Sequence, residues 1–191
     1  MVNTHAHRDH TGGNPLYAGS KIIAGAYSRE QWDDLSKKSR FPDVTIKPGE
    51  EVVLQIGSEK ARVRNLGRAH TWDDLVVYLE NRKVLVTGDL VFLNMHPALM
   101  AASGANVQAW LKVLDELNRY DISRLVPGHG KLSDKSAIPA MKDYFISIGG
   151  AVGNKDKQEA LKEKYKDYFS MPGMLSFDKT LAFIENERKS N

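Results

Sequence analysis

The chain has no cysteine. Disulfides and thiolate metal sites are therefore excluded, and any metal must be held by nitrogen and oxygen donors. No apolar run approaches the ~20 residues that a membrane-spanning helix needs, so no membrane partner is expected. The opening residues, M-V-N-T-H-A-H-R-D-H, lack the basic-then-apolar order of an export signal. Aromatic residues make up only 8% of the 191 positions, and the net charge is a modest +3. Lysine and arginine are scattered among acids, as in K-D-K-Q-E-A-L-K-E-K at 155–164, rather than gathered into a basic stripe. A nucleic-acid partner is not favoured on that ground.

What remains is an ordinary globular composition, 41% hydrophobic and 27% charged. The length suits one domain over residues 1–191, with 155–191 as a helical C-terminal extension. Residues 1–4 read as the tail of a strand, K-I-I-A-G (20–24) as a short strand, and 26–38 as a helix. E-V-V-L-Q-I and A-R-V-R-N-L flank Gly57-Ser58, which predicts a β-hairpin over 50–66. A second hairpin is predicted over 74–89, around Asn81-Arg82. Val107, Trp110, Leu111, Leu114 and Leu117 recur at spacings of three and four, the pattern of one buried helix face over 106–120. R-L-V-P-G-H-G (124–130) reads as a short buried strand, and 136–148 as a helix with Pro139 near its first turn. Two further amphipathic helices are predicted in 155–189, separated by Met171-Pro172-Gly173.

Polar residues interrupt this pattern at four places. The first is H-A-H-R-D-H at 5–10. At the end of a strand, residues two apart point to the same side, so His5 and His7 can reach one ion. Asp9 and His10 lie where the chain turns and can face a second ion. Neutral imidazoles suit zinc or iron, and a carboxylate balances the charge of the pair. A solvated histidine-rich loop, or a single structural zinc, would leave the same letters.

The other three signals are weak singly. His70 lies in G-R-A-H-T-W-D-D (67–74), in a loop between two strands. Asp89 ends the apolar run V-L-V-T-G-D, where burial is costly unless something positive compensates it, or where it serves as a helix N-cap. His129 lies in L-V-P-G-H-G, between glycines that let backbone approach closely. Together they obey one rule: each sits just past the C-terminal end of a strand, where α/β folds gather their sites.

The order H-x-H-x-D-H, G-x-x-H-T, T-G-D and P-G-H-G resembles the metallo-β-lactamase superfamily, over residues 1 to about 150. The resemblance implies an α/β fold, an αββα sandwich with C-terminal helices. It implies that His5, His7 and His70 hold one metal ion, that Asp9, His10 and His129 hold another, and that Asp89 bridges the two. It further implies two Zn²⁺, with Fe or Mn as substitutes, and a small-molecule substrate. The reaction would be hydrolysis of an ester, thioester, lactone or amide by a hydroxide held between the metals, with Asp9 as the catalytic group that orients it and relays its proton. Thr71, Asp73 and Asp74 are candidates for fixing ligand orientation, and His96 for facing the substrate. The aspartate at 89 points towards general hydrolases rather than β-lactamases within the superfamily.

Two further functional classes resemble this chain: a mononuclear-iron enzyme oxidising persulfide sulfur, and a metal-binding fragment without catalysis. In the family the first sheet precedes H-x-H-x-D-H. Here that motif begins at the fifth residue, so an N-terminally truncated sandwich lacking most of its first sheet is expected. A sheet built from 50–56, 60–66, 74–80 and 83–87 then keeps one apolar face open, which predicts a homo-oligomer covering it, or marginal stability.

Overall fold

The computed structural model describes residues 1–190. Two sheets are present. Strands β1 (Ile23–Gly25) and β2 (Val44–Ile46) form a small parallel pair, which Val2 joins by a parallel bridge to Ile23. Strands β3 (Glu51–Ile56), β4 (Glu59–Asn65), β5 (Leu75–Leu79), β6 (Val84–Phe92) and β7 (Arg124–His129) form the large sheet in that spatial order. Its neighbours run antiparallel except β6 and β7, which are parallel.

The β3–β4 hairpin closes as expected. Ile56 pairs with Glu59, and Gly57 takes φ 60°, a conformation open to glycine without a Cβ clash. A parallel pair needs a crossover, and the chain between β6 and β7 supplies it through helix α3 (Val107–Leu117). Asn106 starts that helix by accepting from the Ala109 amide at 2.7 Å. The predicted apolar stripe is present: Val107, Trp110, Leu114 and Leu117 are buried, while Leu111 is half-buried at its edge.

Four other helices complete the chain beside α3 and a single turn, α1 (Arg8–Thr11), described below. Helix α2 (Arg29–Ser36) starts in a capping box between Ser28 and Gln31. Helices α4 (Ala137–Gly150), α5 (Lys155–Lys164) and α6 (Phe177–Lys189) come after β7. Residues 14–17 form a 3₁₀ turn. Strand β2 had no sequence signal of its own: it is three residues long, and two of them are exposed.

The two faces of the large sheet differ. On one, Val76, Leu85 and Leu125 pack against Trp110, Phe145 and Ile148 of the helices. On the other, Val63 and Leu75 pack against Ile23 and Ile46 of the small sheet. That cover is partial. Val52, Leu54 and Val77 are half-buried, and Ile56 on the same face is 60% exposed.

One expectation needs correcting. Asp89 does not lie past the end of its strand; it lies inside β6, which continues to Phe92. The pairing of β6 with β7 shifts register between Val86 and Gly88 and again before Phe92. An irregularity of this kind re-aims a side chain without ending the strand. Gly88, at φ 53°, lets the strand bend there, and the Thr4 side chain occupies the space a Cβ would need. His129 is likewise the last residue of β7, paired with Phe92, rather than past its end.

Candidate metal centre

Five short segments converge at one edge of the large sheet. Residues 4–6 form a bend rather than the expected strand end, and His7 is extended; this brings His5 Nε2 and His7 Nδ1 within 3.1 Å of one another. The chain then turns into α1, where the amides of His10 and Thr11 bond to the His7 carbonyl at 3.0 and 3.1 Å. This single turn lifts Asp9 and His10 beside the first pair. The loop before β5 brings His70, β6 brings Asp89, and β7 brings His129.

The donor atoms form two groups sharing one carboxylate. In the first, His7 Nδ1 lies 3.1 Å from His5 Nε2 and 3.0 Å from His70 Nε2. Asp89 Oδ2 lies 3.3 Å from His70 Nε2 and 3.8 Å from His5 Nε2. In the second, Asp9 Oδ2 lies 3.3 Å from His10 Nε2 and 3.2 Å from His129 Nε2. Asp89 closes it, with Oδ1 3.1 Å from His10 Nε2 and Oδ2 3.4 Å from His129 Nε2.

These separations fit a metal. Four ligands ~2.0–2.1 Å from a tetrahedral ion stand about 3.3–3.4 Å apart along each edge. The chemistry fits as well. Five buried side-chain polar atoms lack a hydrogen-bond partner among the described residues, and two of them are donor atoms of the cluster, His10 Nε2 and Asp89 Oδ1; two more, His7 Nε2 and His70 Nδ1, are the opposite ring nitrogens of cluster histidines. His10 Nε2 and Asp89 Oδ1 approach without hydrogen-bond alignment, an arrangement that a cation near both would stabilise. The donor set is nitrogen and oxygen, as zinc, iron or manganese accept.

Burial divides the two groups. Asp89 is 4% exposed and Asp9 57%. Burial, the largest influence, holds His5 well below its ordinary pKa and lowers His7 to about 4, so both rings are neutral at pH 7, the state that ligates. His10 responds in the opposite sense: burial opposes its charge, but Asp89 and Asp9 outweigh it and raise the pKa to about 9. The same two carboxylates raise His129 to about 10. Burial would raise Asp89, yet the surrounding imidazoles hold it well below the carboxylate range.

Glycines allow the close packing. A Cβ on Gly128 would stand 2.0 Å from Asp89 Oδ1 and 2.7 Å from the Asp89 amide nitrogen. No side chain fits there without displacing the shared carboxylate.

Thr71, Asp73 and Asp74 lie outside the donor groups and frame the loop that carries His70. Asp74 accepts from the Thr71 amide at 2.9 Å and from Thr71 Oγ1 at 2.8 Å. Its burial raises its pKa to about 6. Asp73 accepts from Asn65 Nδ2 at 2.8 Å, and the Tyr27 hydroxyl donates to the Asp73 carbonyl. His96 is not brought to the cluster. Its Nδ1 lies 2.6 Å from the Tyr144 hydroxyl, and its ring packs against both Tyr144 and Tyr168.

Sequence reasoning missed the aromatic floor. Phe92 stacks on His129 at 5.4 Å, and Trp110 meets the His70 ring edge-on at 5.3 Å. Trp110 was legible only as part of a helix stripe, and nothing in the letters around Phe92 marks it. Thr4, beside Gly88 and 3.3 Å from His5 Nδ1, also carried no signal.

The model of the metallo-β-lactamase superfamily matches residues 1–129, the stretch that supplies all seven donors. The chain belongs to that superfamily. The metallo-β-lactamase type 2 of Bacillus sp. (strain 170) is 31% identical over 140 residues, covering 72% of this chain and 54% of the relative. That of Bacillus cereus is 29% identical over 140 residues, with the same coverage. Among solved structures, a metallo-β-lactamase from Pontibacter korlensis superposes with TM-score 0.63 at 28% identity, covering 74% of this chain and 66% of that one. The chain spans about half the length of the curated relatives it matches. These relatives are named β-lactamases, whereas Asp89 pointed to general hydrolases of the superfamily.

Proposed function

We propose that this chain is a metal-dependent hydrolase of small molecules, cleaving an ester, thioester, lactone or amide bond. The observation that carries the reading is Asp89: one buried carboxylate closes two donor groups, each with the spacing of a metal's ligands. In this reading His5, His7, His70 and Asp89 hold one Zn²⁺, and Asp9, His10, His129 and Asp89 hold the other. Such a pair supplies a water acidified towards neutrality and a positive charge for the developing oxyanion.

The chain's own groups account for the rest. His5 and His7 stay neutral through burial and are therefore free to ligate. Asp89 supplies the negative charge between the groups. Asp9 engages His10 and His129 through Oδ2, which leaves Oδ1 to accept a proton from the attacking water, at the exposed end of the cluster. Thr71 and Asp74 hold the His70 loop in one conformation. Residues 1–191 act as one unit here, since Glu187 of α6 accepts from the Val107 amide of α3 at 2.9 Å.

Zinc-loaded protein tested against esters, thioesters, lactones and amides, β-lactams included, is expected to turn over at least one class with two ions per chain. Two ions without turnover would reduce the chain to a metal-binding fragment. One iron per chain, with oxygen consumption on a persulfide, would replace hydrolysis by sulfur oxidation.

The half-open sheet face bears on solution behaviour. Val52, Leu54 and Ile56 of β3 and Val77 of β5 line it, on either side of β4. We propose that a second copy covers this face. Sedimentation at micromolar concentration is expected to show a dimer or larger species, and replacing Ile56 and Leu54 with lysine should yield monomer. A dilute monomer with a normal cooperative melt would overturn this.

A further inference from the structure

A cavity of about 470 Å³ opens over the Asp9–His129 side of the cluster. That volume lies within the ~300–1,000 Å³ range of small-molecule sites. Its floor is polar: His7, Asp9, Asp89 and His129. Its walls are apolar, built from Met95, Met100, Phe169, Met171, Met174 and Leu175 among others. Outside the donor groups, the one charged side chain on its lining is Arg8.

Four of the chain's six methionines meet in this cavity. Phe169, Met171 and Met174 remain 54, 42 and 45% exposed, although apolar residues that merely fill a core would be covered. Methionine is unbranched and polarisable, so a wall of methionines adapts to apolar groups of varied shape.

The far wall is a built structure. The Phe169 amide bonds to the Asn94 carbonyl at 2.8 Å, and the His96 amide to the Phe169 carbonyl at 3.1 Å. This ties residues after α5 to the loop leaving β6. Met171 and Leu175 then exchange backbone bonds at 2.9 Å each, around Gly173 at φ 81°. Pinned at both points, this turn holds Met171, Met174 and Leu175 over the cluster. It also lies beyond residue 129, where the superfamily match ends.

We infer that the cavity selects a neutral substrate with a linear apolar arm: the arm lies on the methionine wall of residues 169–175 while the reacting carbonyl reaches the cluster. The inference rests on the hydrolase reading for the role of the carbonyl, but the arm's recognition is testable without turnover.

The probe is a series of linear 2-alkanones, from butanone to undecan-2-one, which carry a carbonyl but no cleavable bond. Zinc-loaded protein with ¹³C-labelled methionine methyl groups reports on the wall directly. Met95, Met100, Met171 and Met174 are expected to shift on titration, while Met141, buried in the helical core, stays still. Affinity should rise about three- to fourfold per added methylene until the arm fills the cavity. Met171→Ser should weaken the octanone complex about fivefold and leave butanone unchanged. Unmoved wall methyls, or affinity independent of arm length, would overturn the inference. Tighter binding of octanoate than of the ketone would overturn its neutral character and favour an anion held by Arg8. Wall shifts with no turnover on any ester, thioester, lactone or amide would instead sink the hydrolase reading and leave the arm site standing.

Discussion

Asp89→Asn is expected to lower kcat/KM on the best substrate by about 10³-fold or more, and to reduce bound metal from two ions per chain to one or none. The effect is large because one side chain serves both donor groups. Its two oxygens face His10 on one side and His5, His70 and His129 on the other, at 3.1–3.8 Å. Asparagine keeps the shape but removes the negative charge. It also presents an NH₂ group, which donates hydrogen bonds and cannot ligate. Losing a single preorganised electrostatic contact at a reacting centre costs ~10²–10³-fold, and here the loss falls on both groups together. Elemental analysis beside steady-state kinetics measures it. Two ions per chain and near-normal turnover in this variant would remove Asp89 from its bridging role.

Stripping the metal with a chelator should lower the melting temperature by roughly 8–16 °C for each tightly held ion. A ligand present at ~1,000 times its Kd stabilises the native state by about 4.1 kcal/mol. For chains of ~150–250 residues, each kcal/mol moves Tm by about 2–4 °C. The donor geometry supports tight binding, since the spacing exists without rearrangement and two of the donor atoms, His10 Nε2 and Asp89 Oδ1, are buried with no hydrogen-bond partner. Differential scanning calorimetry with and without zinc reads the shift directly, and a tenfold increase in free zinc should raise Tm further. A melt indifferent to chelator and zinc would remove the metal from the folded structure altogether.

The residues that converge at the cluster were legible from the letters because they are polar residues placed in apolar company. His5 and His7 alternate at a strand-like spacing, and Asp89 and His129 interrupt apolar strands where burial demands compensation. The hairpin around Gly57 was legible because the turn chemistry is local. The features that escaped reading depend on distant packing. Asp89 looked like a strand end because glycine and a carboxylate break the apolar run there, although Leu90, Val91 and Phe92 resume it. Only the shifted pairing with β7, and Thr4 lying against Gly88, keep the strand going past it. His96 was a candidate for facing the substrate, but the Tyr144 hydroxyl claims it from a helix 48 residues away. Met171-Pro172-Gly173 read as a break between helices, and its place over the cluster comes from backbone bonds to residues 94–96.

The cluster also has a topological consequence. Its donors come from residues 5–10, 70, 89 and 129, so His7 and His70, 63 positions apart, would share one ion, and His10 and His129 a second across a longer interval. Such ions are cross-links between the first ten residues and the sheet. Closing a loop of ~100 residues restricts the unfolded chain by about 4–5 kcal/mol in the chain-entropy view. In a protein without cysteine, such a metal pair would take the place that a disulfide holds elsewhere. It would be a staple opened by a chelator rather than by a reductant.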